Sequence, residues 1–401
     1  MATQKPDRFD EINWDDLSGS NRFDLSINTI GMLITSVPWM TLGYYNYEFV
    51  GKREPTFGFV NNETTLTNLD FIFGFTLLLF FFYLVLPLYQ NPRMTKYYWK
   101  EFRRNRPAVV SLGWLGIVFA GGLLGPLFIS TPSQDIFAGY QPPVYMSIDD
   151  AYVSQCLGEV RGGRCYGSWQ YPFGTTRGGE GVFKTVVHGM TISMKIAFIT
   201  TTIVALIGIS FGTISAYAGG WVDEILMRFV DIVLSFPTRR SSDLPPRSTL
   251  FLYVYGAGLA MFILVFSLFA WGGTARYVRS KALSVSEEEF VQAIRISGAS
   301  PYRIVRRHIV PNTASSIVTQ LTLLVPGFIL AEAQLAYLGL GDSEVPSWGQ
   351  LIASGRNALD FAPWIVLAPG FVLFLTILAF NFAGDALLDA LNPETEAEAE
   401  Q

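Results

Sequence analysis

The sequence predicts an all-α fold, a polytopic bundle of transmembrane helices with an extra helical pair at the N-terminus, and three observations carry that prediction. Half of the 401 residues are hydrophobic, 32 of them Phe, while only 15% are charged, and the mean hydropathy is +0.33; a soluble domain needs more charge to cover its surface. The apolar residues gather in runs long enough to cross a hydrocarbon layer of about 30 Å as helices. The charges collect between those runs, with Lys and Arg concentrated in alternate loops, which orients the chain with its basic loops in the cytosol. The acidic pI of 5.2 comes from tails and loops and does not point to nucleic-acid binding.

In chain order, residues 1–21 are polar and mixed in charge, which does not suit a secretory signal, so the first apolar run, 27–45, is expected to stay as a membrane helix. The second run is 71–88. A polar segment separates the two, and the basic segment after them holds Arg93, Lys96, Lys100, Arg103, Arg104 and Arg106. That segment is cytosolic by its charge, which places the N-terminus inside as well.

The third run, 108–129, leads outward into a long polar loop, 130–184, which contains the only two cysteines, Cys156 and Cys165. A disulfide in an oxidising exterior and two free thiols both fit. The fourth run, 186–217, is rich in Gly, Ser and Thr, which suits close helix packing. Just beyond it, Glu224 and Arg228 stand four apart and are expected to pair on a helix surface.

The fifth run starts at Phe229 and fails after Pro237. Thr238 to Pro246 would set Arg239, Arg240 and Asp243 at bilayer depth, followed by two helix-breaking prolines. One reading is a charged re-entrant or gating element. The preferred reading is that SFPTRRSSDL is the translation of a common sequencing adapter that overwrites part of a membrane helix, and no function is rested on it. The runs 250–271, 314–338, with Pro326-Gly327 as an expected kink, and 365–383 complete eight spans with both termini inside. The acidic tail, 394–401, is expected to be disordered.

Between the sixth and seventh runs lies a charged island, 284–312. Ser284 and Ser286 each stand three residues before a Glu, Glu287 and Glu289, the capping-box spacing. Phe290, Ala293 and Ile294 recur at helical spacing and predict one apolar face. Gly298 stops this helix or allows close backbone approach, Ser300-Pro301 starts a second, and Pro311 ends or kinks it. Arg303, Arg306 and Arg307 add a basic stripe. The arrangement suits docking of another protein; the alternative is an ordinary cytosolic loop that happens to be helical.

Gln292-Ala293-Ile294, then Gly298, then Pro311 resembles the cytoplasmic loop of ABC-importer permeases, whose motif runs Glu-Ala-Ala, three residues, Gly, and a closing Pro. Gln292 stands where Glu is usual and Ile294 where the second Ala is usual. Further stretches resemble the dipeptide, oligopeptide and nickel permease subfamily: Tyr171 to Gly181 in spacing though not in charge, Ala216 to Asp223, Glu332 to Gly341, Pro346 to Gly349, and Asn381 to Pro393. The similarity runs over 98–393 and leaves the N-terminal pair outside it.

The resemblance implies four regions: 1–97 with the added pair, 98–185 with the family's first helix and long outer loop, the permease core 186–393, and the tail. It implies a transport subunit coupled to ATPases through Glu289, Gln292, Ala293, Ile294, Gly298 and Pro311, with Glu332 either lining the translocation path or packing through hydrogen bonds. Its partners would be the lipid bilayer, a second permease chain, two ATPase subunits that bind ATP and Mg, and an extracytoplasmic substrate-binding protein. The chain itself carries no phosphate-binding Gly-rich loop, and its two histidines, His188 and His308, are far apart, so no catalytic residue, cofactor or metal ligand is expected in it. Rival classes are an ion-coupled secondary transporter, with Glu332 as its intramembrane acid, and a membrane scaffold.

Overall fold

The computed structural model describes residues 27–49, 66–235, 258–339 and 345–391. Within them the all-α prediction holds. The helices are α1 (Ile27–Phe49), α2 (Asn68–Gln90), α3 (Pro92–Phe102), α4 (Arg106–Phe128), α5 (Val182–Ala218), α6 (Gly220–Ser235), α7 (Leu259–Ser286), α8 (Glu289–Ile296), α9 (Pro301–Tyr337), α10 (Trp348–Gly355) and α11 (Trp364–Leu391). Six of these, α2, α4, α5, α7, α9 and α11, are long and apolar enough to cross a membrane. The first expected span is helical as α1, with Pro38 inside it, but does not reach that apolarity. The fifth begins as α6, and Thr238 to Pro246 lie outside the described residues.

The centre of the bundle is the packing of α5 on α7, the most extensive contact between any two helices described. Gly208 and Gly212, one turn apart, let the two backbones approach: a Cβ at Gly212 would stand 2.6 Å from the Ala275 carbonyl oxygen and 2.9 Å from the Arg279 nitrogen. Small residues at one-turn spacing are how membrane helices gain packing in the absence of a water-driven hydrophobic force. On another side of α5, Gly121, Gly122 and Gly125 of α4 receive Met190, Met194 and Val187. Helix α11 closes the bundle against α9 and α4, where Trp114 Nε1 donates to Thr376 Oγ1 at 3.2 Å.

The outer loop is a folded layer. Three short antiparallel strands, β1 (Ser147–Asp149), β2 (Val160–Arg161) and β3 (Arg164–Tyr166), pair in the order β1-β3-β2. Cys156 and Cys165 form a disulfide, and Cys165 is fully buried in the same apolar cluster as Trp348 and Trp364. Gln141, also buried, ties the layer together: its Nε2 donates to the Gln155 carbonyl at 2.6 Å, its Oε1 accepts from Leu157 N at 3.1 Å, and its backbone N donates to Thr175 Oγ1 at 2.7 Å. Cys165→Ser is expected to destabilise this layer by about 2–3 kcal/mol, the loop-closure value for so short a ring. Limited proteolysis within the loop, with and without reductant, checks it; equal protection would mean that the Gln141 hub suffices.

Candidate functional site

The charged island folds as a short helix clamped under the bundle. Helix α7 continues through Ser286, so the expected capping boxes do not form: Ser286 Oγ donates back to the Leu283 carbonyl at 2.8 Å, and Glu288 takes the N-cap position of α8. Helix α8 stops where predicted, with Gly298 at φ +81°, a left-handed conformation that glycine adopts without a Cβ penalty. Ser300 and Pro301 then start α9.

Pro311 does not end that helix. It follows a wide π turn, Val305–Ile309, in which Val310 N donates to the Val305 carbonyl, and the helix runs on to Tyr337. The missing proline N–H and its ring's clash with the carbonyl four residues earlier are accommodated by that extra residue in the turn.

Two faces of α8 do different work. Val291 is fully buried with Ile304 and Ile309 of α9, Ala216 of α5 and Ala282 of α7, and half-buried Ile294 packs against the same cluster. The Arg295 guanidinium lies 5.4 Å from the Tyr217 ring centroid. The opposite face presents Glu289, Gln292, Ala293 and Gly298 to solvent, together with Ile296, which is 88% exposed, and it is flanked by Phe290 and Tyr302, 43% and 70% exposed. The predicted apolar face of Phe290, Ala293 and Ile294 is therefore split: Ile294 faces inward, the other two outward. Val291 and Ile296 were missed, although Val291 and Ile294 share the three-residue spacing of one helix face. Arg303, Arg306 and Arg307 lie exposed along the following helix, as the stripe required.

Beside this loop, ion pairs hold the cytosolic ends of α5, α6 and α7 together. Arg279 donates to both oxygens of Asp223 at 2.6 and 2.5 Å, and Ser215 donates to the same carboxylate. The Arg279 hydrogen bonds hold the Asp223 carboxyl below the usual carboxylate range. Arg276 pairs with Asp231, and the expected Glu224–Arg228 pair forms at 2.5 Å, both exposed to solvent.

At the outer end, Glu332 is 9% exposed and hydrogen-bonded to the Ser347 side chain. The neighbouring contacts are equally closed. Trp348 Nε1 donates to the Val186 carbonyl at 2.9 Å, Gly349 lies against Ala333 and Ala336, and Trp364 Nε1 donates to the Thr175 carbonyl at 3.2 Å. His188 Nε2 bonds the Ile129 carbonyl at 3.1 Å, a structural role. Among the described residues no group of His, Cys, Asp and Glu is placed to hold a metal.

A membrane-spanning bundle with a closed outer layer, and a cytosolic helix anchored on one face and exposing apolar residues on the other, defines the class: a multi-pass permease of the plasma membrane. Residues 208–397 match the family described as binding-protein-dependent transport system inner membrane component, and residues 93–143 match the N-terminal TM domain of oligopeptide transport permease C. The chain is 34% identical over 299 residues to the dipeptide transport system permease protein DppC of Alkalihalophilus pseudofirmus, covering 74% of this chain and 89% of that one. It is 34% identical over 296 residues to the oligopeptide transport system permease protein OppC of Escherichia coli K12, with the same coverage, 74% and 89%. Its identity to the Haemophilus influenzae OppC is 36% over 223 residues, 55% of this chain and 70% of the relative. The chain belongs to this family and is the transmembrane permease subunit of an ABC importer.

Proposed function

We propose that the importer carries dipeptides or oligopeptides, and that α8 with Gly298 and Pro311 is the element through which partner ATPases drive it. The observation that carries the second part is the split character of α8. A short helix whose inner face is locked by Val291 transmits displacement to α5, α7 and α9, while its exposed Ala293 and Ile296 offer apolar area that a partner's cleft would bury. The substrate class is supported by the names of the relatives, dipeptide and oligopeptide permeases.

In this reading the chain pairs with a second permease, receives substrate from an extracytoplasmic binding protein, and relies on two ATPase subunits to bind ATP and Mg. The ATPases favour one arrangement of the bundle when they close and another when they open, which requires different contacts in the two states. Glu332, bonded to Ser347, holds the outer layer to α9 near the path rather than relaying ions.

Reconstitution tests the whole reading. Proteoliposomes containing the chain, its second permease and the ATPases are expected to take up a dipeptide or a short oligopeptide only with ATP inside the cytosolic compartment and binding protein outside. Uptake driven by a proton or sodium gradient without ATP would overturn it in favour of ion coupling.

A further inference from the structure

The hairpin α1–α2 lies outside both family matches, which begin at residues 93 and 208. It is nevertheless tied to the core by a charge pair. Lys195 of α5, 9% exposed and several turns below that helix's outer end, sets its Nζ 2.7 Å from Asp70 Oδ1 at the start of α2. The other carboxylate oxygen, Oδ2, accepts from Thr67 N at 2.9 Å and from Thr67 Oγ1 at 2.6 Å, so Asp70 caps α2 and neutralises Lys195 together. No other carboxylate lies within ion-pair distance of Lys195 among the described residues.

Further along each helix, apolar contacts continue the same seam. The Phe198 ring meets Phe73 at 5.9 Å and Phe80 at 5.3 Å, both edge-on, and Phe119 of α4 at 5.6 Å from the other side. Phe73 is buried in the cluster that contains Ile196 and Ile199. The hairpin is itself a unit: Trp39 Nε1 donates to the Phe71 carbonyl at 2.8 Å, and Gly74 leaves room for the Trp39 indole.

We propose that α1–α2 is an obligatory part of this permease, in which Asp70 is the counter-ion that allows α5 to carry Lys195 inside the bundle and so holds α5 in place. A cation within a membrane bundle needs a partner or a water path. Helix α5 carries contacts at both ends, with the outer layer through Val186 and with the coupling cluster through Ala216. Asp70 thus acts as a positioning residue through Lys195. The face of the hairpin that packs on α5 is occupied by these contacts.

The test is a charge cycle in the full chain, read as the fraction of detergent-solubilised protein that elutes as a monodisperse peak, together with disulfide formation between cysteines placed at Phe73 and Phe198. Asp70→Asn is expected to lower the folded fraction and the cross-linking at least about ten-fold. Lys195→Arg should keep both near wild type. The neutral double variant Asp70→Asn/Lys195→Met should recover most of what Asp70→Asn loses, because no uncompensated cation remains. Thr67→Ala disturbs the cap alone and should have a small effect. The proposal is overturned if Asp70→Asn behaves as wild type, or if the neutral double variant is as impaired as Asp70→Asn, since the carboxylate would then serve only its own helix. These readouts concern the chain alone, so they stand or fall separately from substrate and ATPase assignments.

Discussion

Ile296→Asp is expected to release the ATPase subunits from the purified importer, lowering their recovery with the permease at least about 100-fold. Burying an isoleucine in a partner's cleft contributes about 1.5–3 kcal/mol. Placing an unpaired carboxylate there costs further, and a total above about 2.7 kcal/mol corresponds to that factor. Ile296 is 88% exposed and makes no core contact, so the chain itself should insert and fold normally. Gly298→Asp should act in the same direction. No atom lies within 4 Å of a Cβ at Gly298, but its φ of +81° strains any side chain placed there, so Gly298→Asp adds backbone strain to the charge and is the less clean of the two variants. Val291→Asp is the contrasting case, because it buries a charge among Ala216, Ala282 and Ile304 and should unseat the loop from the permease itself. Co-purification of tagged chain with the ATPases, beside a folding assay for each variant, separates the two. Full ATPase recovery with Ile296→Asp would remove the outer face of α8 from the interface.

The spans were legible because a membrane admits few alternatives: backbone groups in hydrocarbon must be paired internally, so an apolar run of about 20 residues becomes a helix. Their ends were less legible. Ser284 and Ser286 carried the capping-box spacing, yet the helix before them had not stopped. Within a helix a serine hydroxyl bonds back to a carbonyl, as Ser286 does to Leu283, and the spacing alone does not distinguish that from a cap. The direction of α8 was not legible either, since apolar residues stand on both its faces, Val291 and Ile294 on one, Ala293 and Ile296 on the other. Val291 goes inward because Ala216 and Ala282, on two other helices, leave the space for it. The outer sheet gave no signal because strands of two and three residues are too short for an alternating pattern. The Glu332–Ser347 bond joins residues well separated along the chain, and neither residue's local sequence points to the other. Lys195 stood unnoticed in an apolar run, and its meaning appeared only when the hairpin brought Asp70 to it.

Gly212→Leu is expected to remove most of the folded protein, because it strikes the crossing on which both ends of the molecule depend. Its Cβ would meet backbone atoms of α7, the Ala275 carbonyl oxygen at 2.6 Å and the Arg279 nitrogen at 2.9 Å, along with Val278 Cβ at 2.7 Å. Backbone cannot rotate away as a side chain can, so the helices must separate. In lipid that separation is not resisted by a hydrophobic force and forfeits dispersion contacts directly, including the tilted Phe211–Trp271 ring contact at 4.6 Å. A cost of about 3 kcal/mol or more is expected, read as loss of the monodisperse fraction after solubilisation. Gly113→Leu on α4, where nothing lies within 4 Å, is the matched control and should change stability by no more than about 0.5 kcal/mol. The residual folded fraction of Gly212→Leu carries a second expectation. Ala216 lies one turn below Gly212 and Ala282 one turn below Val278, and these two alanines seat Val291, so moving α5 from α7 should loosen α8 and lower ATPase recovery as well. Normal recovery in that fraction would mean that α9, through Ile304 and Ile309, holds α8 without help from the crossing.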